Sequence, residues 1–114
     1  MQLLTLGLNH RTAPVDVRER VSFSREELRS GLLSLGEYDG LSGLVVLSTC
    51  NRTELYASVD DHERGAQTLR QFLNDLAQGG DDLDAYLYTY VDDETIKHLF
   101  RVSSSLDSLV LGEG

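Results

Sequence analysis

The single cysteine of the chain, Cys50, lies in "LVVLSTCNRTELY", residues 44–56. An apolar run delivers it into a polar cluster of Ser48, Thr49, Asn51, Arg52, Thr53 and Glu54. Free cysteine is among the most buried residue types, so the plainest expectation is a small core residue. Its neighbours argue otherwise. "GLVVLS" is continuous, apolar and β-branched, and reads as a fully buried central strand. "TELYASV" alternates, with Leu55, Ala57 and Val59 on one face and Glu54, Tyr56 and Ser58 on the other. Only about four residues, Thr49 to Arg52, connect the two, which fits a tight antiparallel hairpin. Cys50 then stands in a turn, where a thiol has no packing to do. A nearby guanidinium favours the thiolate, which is the nucleophile, and turn amides can stabilise an oxyanion. These residue types together suit cysteine-centred acyl transfer.

Arg52 admits two uses. It can be solvated or paired with an acid such as Glu54, or it can grip a carboxylate with both arms of its guanidinium. His98 falls beside Leu99 and Val102 on a helical wheel, away from the fully solvated side. A lone helical histidine is more often structural than catalytic. His10, at the end of the first strand, has the same standing, and His62 in "DDHER" reads as solvated. One cysteine and three scattered histidines show no ligand spacing, so no metal is expected.

The elements that must hold these residues follow from periodicity. Leu4, Leu6 and Leu8 alternate as a half-buried strand, and "HRTAPVDVRERV" reads as a loop around Pro14. Ser24 and Glu27 form a capping box for a helix that buries Leu28, Leu32 and Leu35 and stops at Gly36. After the hairpin, a helix from about Asp61 to Gln78 carries the stripe Ala66, Leu69, Leu73 and Leu76, and Gly79 and Gly80 end it. "DAYLYTYV" is a fourth strand with Tyr86, Tyr88 and Tyr90 on one face. Asp92 or Asp93 caps a last helix whose core stripe runs Ile96, Leu99, Val102, Leu106, Leu109 and Val110. Strand, helix, strand, strand, helix, strand is an α+β order. It predicts a ferredoxin-like split βαβ sandwich, with two helices on one face and an additional C-terminal helix.

At 114 residues the chain supports one core. Its net charge of −9 argues against a nonspecific nucleic-acid binder. Arg11, Arg18, Arg20, Arg25 and Arg29 nevertheless leave room for a local basic patch, while the acidic runs read as solvated faces. No stretch is apolar for long enough to span a bilayer, and no leader pattern opens the chain. A lone cysteine forms no internal disulfide and suits a reducing cytoplasm. No glycine-rich phosphate loop is present.

Three stretches, "GLNHRTAPVDVRERVSF", "LSTCNRTELY" and "HLFRVSSSLDSLVLGEG", resemble in order and spacing the N-terminal catalytic domain of glutamyl-tRNA reductase. The resemblance spans nearly the whole chain and implies one catalytic domain over residues 1–114. It implies a reductase that turns glutamyl-tRNA(Glu) into glutamate-1-semialdehyde through a cysteine thioester, opening tetrapyrrole biosynthesis. Cys50 would be the nucleophile and His98 a residue important for activity. Thr49, Asn51, Arg52, Ser108 and Glu113 would bind substrate, with Arg52 clamping the glutamate carboxylate. The resemblance assigns NADPH to a Rossmann domain and homodimerisation to a helical domain, both expected outside this chain. Glutamate-1-semialdehyde aminomutase is an implied partner. The family continues past "LGE" with further substrate residues, so this stretch alone is expected not to complete the reduction. The alternative is a non-enzymatic ferredoxin-like module that binds a ligand or RNA, with Tyr86, Tyr88 and Tyr90 as stacking platforms. A haem- or regulator-binding domain using Cys50 or a histidine ranks below both, for want of ligand spacing.

Overall fold

The apolar alternation of Leu4, Leu6 and Leu8 becomes the centre of a four-stranded sheet. The computed structural model describes residues 2–33, 40–77 and 82–113, and for residues 32 and 105–113 it describes the backbone alone. In chain order these are β1 (Gln2–Asn9), α1 (Val15–Arg20), α2 (Arg25–Leu33), β2 (Leu41–Ser48), β3 (Arg52–Val59), α3 (His62–Leu76), a 3-10 turn (Asp84–Tyr86), β4 (Tyr88–Val91) and α4 (Asp93–Glu113). The sheet order is β2-β3-β1-β4, and every neighbouring pair is antiparallel. The fold is α+β, as expected.

One face of the sheet carries the core. Leu4, Leu6, Leu8, Leu55, Ala57 and Val59 meet Leu69, Phe72 and Leu73 of α3, and α1 adds Val17, with Val21 just after it. Side-chain period two sends the alternate residues, Thr5, Gly7, Glu54 and Tyr56, to the opposite face. There α4 lies across β1 and β4.

The helix starts behave as their sequences dictate. Ser24 Oγ accepts from the Glu27 amide at 3.1 Å, and Glu27 Oε1 accepts from the Ser24 amide at 2.9 Å, a reciprocal capping box. Asp61 caps α3 by accepting from the Arg64 amide at 2.9 Å. Asp92 behaves differently. It has a φ of 47° and turns its carboxylate away from α4, to the Leu3 amide at 3.0 Å and His62 Nε2 at 3.1 Å. Its carbonyl still accepts the first bond of α4, from Ile96. His62 Nε2 is thus hydrogen-bonded to Asp92, and neither side chain is merely solvated.

Other expectations are corrected. The "HRTAPVDVRERV" loop contains the six-residue helix α1, because Pro14 stands before its first turn, where a missing N–H costs nothing. Asp16 in the first turn and Arg18 and Arg20 in the last complement its dipole. β2 is an edge strand, not a buried central one. Its partner β3 is paired on the other side by β1, which leaves Val45 65% exposed while Leu44 and Val46 pack on the core. Tyr86 sits in the 3-10 turn and packs toward the core, so only Tyr88 and Tyr90 share the strand face.

The stripe of α4 is also rotated. Thr95, His98 and Val102 are buried, whereas Ile96, Leu99 and Phe100 are 42%, 44% and 69% exposed. The sheet face beneath α4 is polar, and the helix presents its polar residues to it. Leu35, Gly36, Gly79 and Gly80 lie outside the described residues, as do the side chains of Leu32, Leu106, Leu109 and Val110.

Candidate functional site

Thr49 builds the turn that carries Cys50. Its amide donates to the Arg52 carbonyl at 2.8 Å, closing the hairpin. Its Oγ1 accepts from the amides of Asn51 and Arg52, both at 3.2 Å. The Thr49, Asn51 and Arg52 amides are therefore engaged within the turn and are not free to serve as oxyanion donors. Cys50 is exposed at the tip. The Arg18 guanidinium reaches across from α1, and its Nη1 donates to the Cys50 carbonyl at 3.1 Å. A cleft of about 290 Å³ opens there, lined by Val15, Arg18, Glu19, Ser22, Thr49 and Cys50.

Long-range pairing brings the first motif to the second. Asn9 ends β1 opposite Arg52, the first residue of β3. Asn9 Oδ1 accepts from the amides of Arg11 at 2.9 Å and Thr12 at 3.2 Å, folding the next segment back toward α1. Thr53 Oγ1 donates to the Val21 carbonyl at 2.9 Å and pins the far end of α1 to β3. Residues some forty positions apart in sequence thus share one end of the sheet. His10 is exposed.

On the opposite face lies a second cluster, and its centre is Glu54. The side chain is fully buried. Oε1 accepts from Tyr56 Oη at 2.7 Å and faces Arg52 Nη1 at 3.5 Å. Oε2 accepts from Tyr88 Oη at 2.5 Å and from His98 Nε2. Burial pushes the Glu54 carboxyl up, but hydrogen bonds from Tyr88, Tyr56 and His98, with the charge of His98, outweigh it and hold the group below the ordinary range. Burial and the bond to Glu54 push both Tyr88 and Tyr56 phenols up, so both remain donors. Glu54 as an ionised acceptor makes His98 Nε2 a donor.

The register explains how so many groups meet. Gly7 pairs with Glu54 on one side and Tyr88 on the other. With no side chain on Gly7, Glu54 and Tyr88 reach each other across β1. A Cβ at Gly7 would lie 2.8 Å from both Glu54 Cγ and the Thr53 carbonyl. One row along, Thr5 separates Tyr56 from Tyr90, and the His98 ring stacks with Tyr90 at 4.5 Å and meets Tyr88 edge-on at 5.7 Å. Tyr88 and Tyr90 are turned under α4, not outward as platforms for bases.

The structure therefore brings Thr49, Cys50, Asn51 and Arg52 together in one turn. It places His98 on Glu54, with Arg52 as the link between the two groups. Ser108 and Glu113 lie on the α4 backbone, and their side chains are outside the described residues. Sequence reasoning treated Glu54 as a partner for Arg52, Arg18 as one member of a local basic patch and Tyr88 as a strand-face residue that could stack on bases. It linked neither Arg18 to Cys50 nor Tyr88 to Glu54. Among the described residues, no three His, Cys, Asp or Glu side chains gather as a metal site. No described helix is long and apolar enough to cross a membrane.

Comparisons with known proteins show the family of the chain. Residues 6–114 match the family model described as glutamyl-tRNAGlu reductase, N-terminal domain. The chain is 53% identical over 113 residues to a glutamyl-tRNA reductase of Stenotrophomonas maltophilia, covering 99% of this chain and 25% of the relative. It is 45% identical over 114 residues to one of Desulfitobacterium hafniense, covering 96% and 25% respectively. A solved structure of glutamyl-tRNA reductase from Methanopyrus kandleri is similar, with a TM-score of 0.59 and 36% identity over 92% of this chain and 23% of that one. The chain thus spans about a quarter of the length of the curated relatives it matches.

Proposed function

We propose, because this chain belongs to the glutamyl-tRNA reductase N-terminal domain family, that residues 1–114 are the catalytic domain of an NADPH-dependent reductase. Its substrate is glutamyl-tRNA(Glu) and its product glutamate-1-semialdehyde, the entry to tetrapyrrole biosynthesis. The observation that carries this reading is the Cys50 turn: an exposed thiol on a backbone held by Thr49 from within and by Arg18 from across the cleft. A fixed, accessible sulfur beside a cleft is what nucleophilic acyl transfer requires.

In this reading the Cys50 sulfur attacks the ester carbonyl carbon. The carbon–oxygen bond to the terminal ribose breaks, tRNA leaves, and a glutamyl thioester remains. The Cys50 amide, not engaged within the turn, is the natural donor to the developing oxyanion. Arg52 uses one arm on Glu54 and keeps further N–H donors for the substrate carboxylate. Glu54 and His98 hold that guanidinium in place. Ser108 and Glu113 follow on α4 as further substrate contacts.

The described residues do not fit NADPH. The sheet is antiparallel throughout, and no glycine-rich turn joins a strand to a helix as dinucleotide binding needs. The reduction, and homodimerisation, are assigned to parts of the enzyme outside these residues. We place the protein in the cytoplasm, with glutamate-1-semialdehyde aminomutase as the partner that takes the product. The split βαβ, ferredoxin-like description fits the strand order. A non-enzymatic RNA platform fits poorly, since Tyr88 and Tyr90 lie under α4.

The test is acylation. Full-length protein incubated with glutamyl-tRNA(Glu) without NADPH should show a glutamyl adduct on the peptide containing Cys50, by mass spectrometry. Cys50→Ser should show no such adduct and no reductase activity. A folded protein without the adduct, or an active Cys50→Ser variant, would sink the assignment.

A further inference from the structure

The two sides of the Cys50 turn are chemically unlike. β3 alternation puts Arg52 and Glu54 on the α4 face, so the carboxylate end of the substrate belongs on that side. The cleft against α1 lies on the other side, and neither Arg52 nor His98 lines it. At about 290 Å³ it lies just below the range of small-ligand pockets, which starts at about 300 Å³.

Arg18 gives this cleft its chemistry. One guanidinium nitrogen holds the Cys50 carbonyl at 3.1 Å. Its Nε is buried and has no hydrogen-bond partner among the described residues. A guanidinium presents five N–H donors in a fixed fork, and a buried donor left unpaired is costly. Oxygen acceptors entering the cleft would complete that set. The acidic side chain lining the cleft is Glu19.

We infer that this cleft receives the leaving end of the aminoacyl-tRNA, the 3′-terminal ribose and its phosphate, with Arg18 holding phosphate oxygens. The inference rests on the acyl-transfer reading above. The acyl chain and the ribose diverge from one carbonyl carbon, and that carbon must sit at Cys50. With the glutamyl carboxylate drawn to Arg52 on one side, the nucleotide lies on the other. As the sulfur–carbon bond forms and the carbon–oxygen bond breaks, the ribose oxygen takes up the proton the thiol has released. Arg18 keeps the departing group in line and fixes the backbone of the nucleophile.

The experiment compares two acyl donors on the full-length protein: glutamyl-tRNA(Glu), and a small glutamyl thioester with no nucleotide. Cys50 acylation is read by quenched mass spectrometry. Arg18→Gln should slow acylation by subsaturating tRNA by about 10- to 100-fold, as loss of a charge-assisted contact implies. The loss with the small thioester should be much smaller. The salt dependence of the tRNA reaction should also lose about one unit of slope, as for one phosphate contact. Glu19→Gln, at an exposed position, should speed the tRNA reaction. Equal loss with both donors would reduce Arg18 to a support for Cys50 and overturn the inference. So would an unchanged tRNA rate and slope, or a Glu19→Gln variant that is no faster with tRNA. If wild-type protein is acylated by neither donor, the acyl-transfer reading itself falls and takes this inference with it.

Discussion

Exchanging Glu54 for glutamine keeps the shape of a fully buried side chain and removes its charge. One carboxylate oxygen serves Tyr56 and Arg52, and the other serves Tyr88 and His98. An amide turns one of those acceptors into a donor. A tyrosine hydroxyl can rotate to accept, and a neutral imidazole can accept, but a guanidinium cannot. The amide oxygen therefore stays with Arg52 and Tyr56, and its NH₂ faces Tyr88 and His98. Both of those bonds must reverse direction, with Tyr88 and His98 turned into acceptors, and all of them lose their charge assistance. A hydrogen bond to a charged group is worth about 1.5–3 kcal/mol, so the expected cost is about 2–4 kcal/mol at neutral pH.

The cost is local, so hydrogen exchange measures it best. Amides of β3 and β4 in Glu54→Gln should open about 30- to 700-fold more readily than in the wild type. Acid supplies the second arm. The folded carboxyl titrates below its ordinary 4.5, so between those values the unfolded chain binds more protons than the folded one. Stability therefore rises with pH in that window. The contribution of Glu54 is complete above the ordinary value and fades as the pH falls through the folded one. The glutamine variant has no such group, and its gap from wild type should narrow in acid. Equal protection at neutral pH, or a gap indifferent to acid, would refute the account of Glu54 as an ionised hub.

Two further substitutions probe the same architecture from different sides. Gly7→Ala places a Cβ 2.8 Å from Glu54 Cγ and the Thr53 carbonyl, so it should cost about 1–3 kcal/mol by overpacking and expose Tyr88 to solvent, read by denaturation and tyrosine fluorescence; unchanged stability would show that β1 and β3 can part without loss. Thr49→Val keeps the shape of the side chain and removes the acceptor for the Asn51 and Arg52 amides, which should cost about 1 kcal/mol and slow Cys50 acylation at least tenfold; full acylation with the turn amides freed would show that Thr49 does not set the nucleophile.

The turn around Cys50 was legible because everything that makes it is local. Two apolar segments with strand periodicity and a short polar connection leave few places for the residues between them. The capping box of α2 and the core stripe of α3 were legible for the same reason. Glu54 was not, because its environment draws on four elements far apart in sequence. Alternation separates the two faces of β3, yet it does not say which face a later helix will cover. With the leucines of β1 already facing α3, α4 had to close the opposite face, where Glu54, Tyr56 and Tyr88 point. The misplacement of β2 came from the same gap: its apolar run suits both an edge and a centre, and only pairing decides. Gly7 was the available signal. A residue without a side chain, in a strand that otherwise alternates leucines, marks a place where neighbours must approach closely. Here the neighbours are a carboxylate and a phenol that meet across the strand. The chemistry of the turn could thus be read from thirteen letters, whereas the support for Arg52 required the order of the strands.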